Sequence, residues 1–439
     1  MKRYMSFVLA LITLATLGCG GCNRERYKTP YEATDMLKPA ITDQEPTDAT
    51  AAGHDHSEAA AVEHQPTEDA AAPQAKYETG MFDPNYAYNK MPIYKVTYLT
   101  NYTSASVAAL GENFPFWAMK TNCEFSGILE YPQNIDALID DLPELCEEYD
   151  GLIIDIFPES LYDRVSELLN EQSMSWMAGA SKPIDCASPT NQLLHPYVDT
   201  DMYNTGALAA QKLLDYKNKK WPDTPIEAYG WIILDMSSLV PEYEQYVMGV
   251  RECLTESAPQ IMNNDRFYLL NSLTNDDGIA LEEVYAFTRT KKLIEENPQI
   301  DHWLVCAPND FQACHVATVL YDAKLSSNSA IVSTGAADMI KTWAGGTGIS
   351  PMFESYVATL YTPYVIFAEL IWCGLYAMMS GQATPEALWP DWLDTQDNPN
   401  NPNYAIRKLP VFIVDQENSQ EFLAWVDSYA QTSSYREYF

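Results

Sequence analysis

From Met91 onward the chain alternates short apolar or β-branched runs with longer stretches whose apolar positions recur at helical spacing. The runs Ile93–Leu99, Gly151–Ile156, Tyr229–Leu234, Phe267–Leu270, Trp303–Cys306 and Ala330–Ser333 predict strands. Between them, Phe116–Glu124, Leu161–Glu171, Thr205–Tyr216, Glu242–Glu256, Ala280–Asn297 and Phe311–Ala323 predict helices, the third capped by Asp201 or Asn204. Strands apolar along nearly their whole length are buried on both faces, so the pattern predicts parallel sheets clad in helices. Two such series in about 350 residues predict an α/β protein of two lobes. Periodicity alone leaves the boundary between them open from His195 to Asp223. Open α/β sheets bind ligands beyond the carboxyl ends of their strands. Two facing lobes therefore predict a cleft lined by the residues just after each strand.

The pattern is absent before residue 91. Met1-Lys2-Arg3 is followed by an apolar run from Phe7 to Leu17 and by Gly18-Cys19-Gly20-Gly21-Cys22. That run is too short to span roughly 30 Å of hydrocarbon, and its charged start and small-residue end predict a secretory signal over residues 1–22. Thr16-Leu17-Gly18-Cys19 resembles a bacterial lipoprotein signal, which implies lipidation at Cys19, with Cys22 as the alternative. Acyl chains contribute about 0.8 kcal/mol per buried CH₂, so two or three would tether the protein to a membrane outside the cytoplasm. Residues 23–90 are small, polar, acidic and punctuated by proline, which predicts a disordered linker. His54, His56 and His64 beside Asp55 and Glu58 could take up zinc or copper weakly. No paired cysteines or fixed spacing support them, so no metal site is assigned and metal capture stays an alternative reading.

Composition narrows the partners. Of 439 residues, 26 are Lys or Arg and 61 Asp or Glu, a net charge of −35, which excludes nucleic acid as a partner. Residues 23–90 hold 13 acidic and 6 basic residues, so most of the acidity belongs to the folded body and argues against anionic solutes. Aromatic residues reach 12%, with 29 Tyr and 10 Trp, which suits a polar-ligand cleft and an ordinary core equally. Beyond Cys19 and Cys22 the seven cysteines are irregularly spaced and form no Cys-x-x-Cys, so no disulfide framework is expected. There is no Gly-x-Ser-x-Gly, His-Glu-x-x-His, Walker loop or post-strand Gly-x-Gly-x-x-Gly, and Gly345-Gly346-Thr347-Gly348 follows a helical stretch. Neither an enzyme nor a cofactor is expected.

Five segments in order carry a resemblance. They are Asn113-Phe114-Pro115-Phe116-Trp117, Tyr149-Asp150-Gly151-Leu152-Ile153-Ile154, Val198 to Ala210, Cys306-Ala307-Pro308-Asn309-Asp310, and Ala358 to Tyr364. Together they resemble the type I, ribose-binding-like class of periplasmic substrate-binding proteins. The resemblance implies two Rossmann-like parallel-sheet lobes joined by a three-strand hinge. The first lobe would comprise 91–198 and 356–409, the second 199–355 and 410–439, with Asp391–Asn403 an insertion of unassigned role. It implies an ABC importer's extracytoplasmic solute-binding lipoprotein, partnered by a permease and its ATPase and binding a sugar or sugar-like solute. A sensor that presents its closed form to a signalling receptor is the alternative.

Sugars offer hydroxyls at their edges and C–H faces above and below, so aromatic plates and planar hydrogen-bonding groups are sought. The resemblance places Asn113, Phe116 and Trp117 in the first lobe's plate and Asn309 against ligand, with Asp310 as the cap of the following helix. Asp155 at its strand end is a further candidate, whereas Asp201 is read as a cap. Where the class places an arginine, this chain offers Glu244 or Tyr246; Asp338 is shifted within a turn, and Tyr361 stands near the usual glutamine. The loop Thr100–Asn113 is expected to be long enough to lie over the cleft. Fewer arginines and more Glu and Tyr point to a neutral or cationic ligand.

Overall fold

The computed structural model describes residues 79–432 except 103, 132–133, 158, 186–191, 194, 238–239, 241, 263–264, 272–283, 336–337, 346–348 and 390–403. The signal, Cys19, the linker histidines and the 391–403 stretch lie outside the described residues.

The first lobe begins with β1 (Lys95–Thr100), α1 (Ala105–Lys120), β2 (Glu124–Glu130), α2 (Ile135–Glu148), β3 (Gly151–Asp155), α3 (Tyr162–Glu171) and β4 (Ser175–Ala178). These strands form a parallel sheet in the order β2-β1-β3-β4. Every residue of β3 is buried, as a strand covered on both faces requires. A short antiparallel pair, β5 (Ile184–Asp185) and β6 (Gln192–Leu193), precedes β7 (Tyr197–Thr200).

The second lobe follows with α4 (Met202–Lys220), β8 (Tyr229–Asp235), α5 (Tyr243–Ser257), α6 (Pro259–Met262), β9 (Phe267–Asn271), α7 (Val284–Glu296), β10 (His302–Ala307), α8 (Asp310–Asp322), β11 (Ser329–Gly335), α9 (Asp338–Ala344) and β12 (Tyr356–Tyr361). The chain then adds α10 (Tyr364–Met379), β13 (Ile406–Leu409), β14 (Phe412–Val414) and α11 (Ser419–Thr432). The second sheet runs β14-β12-β11-β10-β8-β9, parallel except where β14 meets β12. Strand β12 is hydrogen-bonded to β11, so the chain leaves this sheet after Tyr361 and not at residue 356 as the resemblance implied. Strands β7 and β13 pair in parallel, and Tyr197 and Ile406 join the first-lobe core around Trp176.

Two features fix the lobes. Helices α4 and α5 touch backbone to backbone: a Cβ on Gly206 would stand 2.0 Å from the Tyr246 carbonyl oxygen, and one on Gly249 1.9 Å from that of Tyr203. Only glycine permits this approach. Helix α10 is apolar on nearly all sides and buried from Tyr364 to Met378, because it packs in the first lobe beneath an aromatic strap. In that strap the Phe82 and Tyr88 rings stack 5.5 Å apart, Tyr88 meets Tyr376 at 5.0 Å, and Trp389 Nε1 donates to the Gly80 carbonyl at 3.2 Å. Among the described residues no helix is long and apolar enough to cross a membrane.

Helix α1 differs from the sequence expectation. It begins at Ala105, capped by the Ser104 side chain, which accepts from Val107 N at 3.1 Å, and Pro115 lies inside it. The expected helix starts at Phe116, just after Pro115; a proline is best tolerated at a helix start, where its missing N–H matters least, but here it sits in the third turn and gives up one backbone bond. The expected long loop Thr100–Asn113 is therefore mostly helix.

Candidate functional site

Both sheets share one strand order around a switch point, where neighbouring strands lead to helices on opposite faces and a crevice opens beyond their carboxyl ends. In the first lobe that point lies between β1 and β3, and in the second between β8 and β10. The residues that follow these four strands build the site.

In the first lobe Asp155 ends β3 fully buried. Its Oδ2 accepts from the Tyr98 hydroxyl at 2.5 Å and from Ala180 N at 2.9 Å. Its Oδ1 accepts from Tyr102 at 3.1 Å, from Ser181 N at 2.7 Å, and from the Ser181 hydroxyl. Gly179 lets the loop close on this carboxylate, since a Cβ there would stand 2.6 Å from Oδ2. Asn101 joins the two sides of the crevice: its Nδ2 donates to the Phe157 carbonyl at 2.7 Å and its Oδ1 accepts from Phe157 N at 2.8 Å. Tyr102 and Phe157, both half-buried, face each other 5.6 Å apart at the rim.

In the second lobe Asn309 has the extended backbone of a helix cap, and its Oδ1 accepts from Gln312 N at 2.9 Å while Nδ2 reaches Met236 Sδ at 3.5 Å. The Asp310 carboxylate turns back under the sheet, where Oδ1 accepts from Ser333 and Tyr356 at 2.6 Å and from Thr359 at 3.0 Å. Gly335 permits this, because a Cβ there would stand 2.9 Å from Oδ1. The Tyr243 hydroxyl donates to the Pro308 carbonyl at 3.0 Å.

Between the lobes stands Tyr364, the first residue of α10, whose hydroxyl bonds Ser106 at 2.9 Å. Burial pushes its phenol up, the hydrogen bonds to Ser106 and Thr362 oppose this, and the charges of Asp155 and Asp310 raise it further. One ring thus feels the buried carboxylates of both lobes. Nearby, Lys182 Nζ lies 3.3 Å from Asp199 Oδ2 on β7. Glu242 precedes α5: burial lifts its carboxyl above the usual range, with the charge of Lys182 pulling it down and that of Asp199 adding to the rise.

The expected site residues separate under this geometry. Asp155, Asn309 and Tyr361 lie at the facing ends of the sheets. Tyr361 is nearly buried, with its ring 4.9 Å from Phe422. Asn309, and not Asp310, is the cap of the helix, while the Asp310 carboxylate is held by hydroxyls of β11 and β12. Trp117 is fully buried beside Phe82 and Phe116, the Phe116 ring lies under Lys120, and Asn113 Nδ2 donates to the Ala109 carbonyl at 2.7 Å. All three sit two or more turns down α1, so they do not form an aromatic plate at the strand ends. Tyr246 is fully buried in the core between α5 and the sheet, and Glu244 is exposed on the first turn of α5. Asp338 begins α9, and its side chain lies outside the described residues. The sequence reading missed Tyr102, Phe157, Lys182, Glu242, Tyr243 and Tyr364. Their signal was position, since most of them follow an apolar strand run within a few residues.

This architecture is the two-lobed α/β fold of the type I periplasmic binding proteins. Similar solved structures include an ABC transporter periplasmic solute-binding protein from Actinobacillus succinogenes 130z with bound D-allose, at TM-score 0.53 and 12% identity over 75% of this chain and 100% of that one. A sugar-binding protein of a sugar ABC transporter from Bacillus halodurans aligns at TM-score 0.54 and 14% identity, over 75% of this chain and 99% of its own. A carbohydrate transporter solute-binding protein from Agrobacterium radiobacter in complex with D-arabinose aligns at 0.51 and 13%, over 77% and 99%. No protein-family model matches the chain. No curated protein matches it either.

Proposed function

We propose that the protein is the extracytoplasmic solute-binding component of an ABC importer, closing its lobes on a small neutral sugar or sugar-like polyol. The observation that carries this reading is the strand order shared by the two sheets, whose switch points lie at β1/β3 and β8/β10 and are bordered by Asp155 in one lobe and by Asn309 and Asp310 in the other. Tyr102 and Phe157 would supply the apolar plate, while Tyr243, Asn309, Lys182 and Glu242 would present polar groups to the ligand. Asp155 and Asp310 would hold these walls in place and would not touch the solute. The sugar ligands of the neighbouring structures, and the lipid anchor at Cys19 and extracytoplasmic location expected from the sequence, agree with delivery to a membrane permease and its ATPase. Hinge rotation about the strands between the lobes would bury the solute and exclude water. A thermal-shift panel of hexoses, pentoses and polyols tests the reading. A ligand present at about 100 times its Kd adds about 2.7 kcal/mol to stability, so at least one member should raise Tm clearly. A folded protein that responds to none of them refutes it.

A further inference from the structure

Among the charged groups at the two switch points, Glu242 has a carboxylate oxygen, Oε2, that is sealed from water and has no hydrogen-bond partner. Its neighbours are each held by donors through at least one oxygen. Asp155 accepts from side-chain and backbone donors, Asp310 from three hydroxyls, and Asp235 from Ser237 N and its hydroxyl, each at 2.9 Å. Asp199 accepts from Thr200 N at 2.7 Å and pairs with Lys182. A sealed carboxylate oxygen without a donor is costly to leave unmade, and a ligand that brings the donor removes the penalty. Glu242 belongs to the second lobe, just ahead of α5, and Lys182 to the first, just after β4. The two side chains therefore come from opposite lobes.

We infer, resting on the solute-binding reading above, that Lys182 and Glu242 form a donor–acceptor pair across the lobes that reads a single ligand hydroxyl and sets specificity for neutral polyols. The choice of ligand follows from charge. An ammonium would satisfy Glu242 but meet Lys182 head-on. A carboxylate or phosphate would suit Lys182 but face Glu242, with Asp155, Asp199, Asp235 and Asp310 behind it, and no arginine stands among the described residues that follow these strands. A hydroxyl accepts from Lys182 and donates to Glu242, and so satisfies both. Asp199 acts as a positioning residue that holds the Lys182 ammonium on the hinge strand.

Isothermal titration of the full chain with D-glucose, D-galactose, D-allose, D-arabinose and myo-inositol identifies the neutral binder, which is then compared with D-glucosamine, D-galactosamine, D-glucuronate and D-galacturonate. The neutral compound should bind at least tenfold more tightly than any amine or acid. Glu242→Ala should weaken it at least tenfold while leaving the unliganded Tm unchanged or higher, a combination that a purely structural role would not give. Lys182→Met should shift the preference toward the amines, and Glu242→Ala toward the acids. Tighter binding of an amine or acid by the unaltered protein, or unchanged affinity in Glu242→Ala, overturns the pair while leaving a sugar-binding cleft intact. If none of the compounds binds, the solute-binding reading falls and this inference with it.

Discussion

Replacing Asp155 by Asn separates two roles for this carboxylate. If it grips the solute, the change lowers affinity and spares the fold; if it is a strut, the reverse holds. The geometry favours the strut. Asp155 Oδ1 accepts three hydrogen bonds and Oδ2 two, and the residue has no exposed surface. The isosteric amide must turn its NH₂ toward one of these donor sets, and the gentler choice is the Oδ2 side with the Tyr98 hydroxyl and Ala180 N. Tyr98 can rotate its proton away, but a backbone N–H cannot. Hydrogen bonds to a charged acceptor are worth about 1.5–3 kcal/mol each, and a buried donor left unmade adds about 1–3 kcal/mol. A loss of about 3–5 kcal/mol follows, a large fraction of the roughly 5–15 kcal/mol that holds a folded domain. At about 2–4 °C per kcal/mol for a domain of this size, Tm should fall by roughly 6–20 °C in calorimetry, with the urea midpoint moving the same way. Asp155→Asn with an unchanged Tm and abolished sugar response would refute the strut.

Two further predictions rest on separate features. Gly249→Ala places a methyl group 1.9 Å from the Tyr203 carbonyl oxygen and must push α4 from α5, so it should cost about 1–3 kcal/mol or more and lower the urea midpoint. Gly381→Ala serves as the comparison, since a Cβ there meets nothing within 4 Å and the positive φ of 71° is its only burden. His195 is buried, its ring 3.9 Å from that of Trp176 and Nε2 2.6 Å from the Trp176 carbonyl oxygen. Burial lowers its pKa from 6.5 to about 4, against the opposing pull of the Trp176 carbonyl and Glu386. The unfolded chain then takes up a proton that the folded chain refuses, so the contribution is complete above about pH 6.5 and is lost as pH falls toward 4, by up to about 1.4 kcal/mol per unit. His195→Gln should show a smaller difference in urea stability between pH 7 and pH 5 than the unaltered protein. An equal difference in the two would remove His195 from the pH response.

Strands such as Gly151–Asp155 and Tyr229–Asp235 were legible because burial on both faces leaves an unbroken apolar run. Edge strand β2, reading Glu124-Phe125-Ser126-Gly127-Ile128-Leu129-Glu130, was not, because its exposed positions alternate with half-buried ones and it carries a glycine at positive φ. The start of α1 was hidden for another reason. Ala105–Gly111 is small and weakly patterned, whereas Pro115 imitates a first-turn proline. That one misplacement moved the expected aromatic plate onto Phe116 and Trp117, inside the helix and away from its cleft end. The capping by Asn309 in place of Asp310 has a subtler cause. Either side chain can cap a helix, and only the backbone decides: Asn309 is extended at φ −158°, while Asp310 is the first helical residue and points back toward β11 and β12. Counting from strand ends would have found Tyr102 and Phe157, since strands were the elements the sequence displayed best.

The acidity of the chain acquires a structural meaning at the two switch points. Each lobe buries one carboxylate there, Asp155 or Asp310, and surrounds it with tyrosine, serine or threonine hydroxyls while a glycine on a neighbouring strand end, Gly179 or Gly335, leaves room. A buried carboxylate that accepts several donors fixes every loop that supplies one, because moving any loop strands a charge. The repeated arrangement therefore stiffens each lobe at the edge where a hinge motion would bring them together. Only a few of the 61 acidic residues belong to these walls; there the Asp155 carboxylate and Asp310 Oδ1 are taken up by hydroxyl and backbone donors, while Glu242 Oε2 is buried without one. A cleft built this way would recognise its solute by hydroxyl geometry against rigid walls, and its overall charge would set only which classes of molecule are turned away.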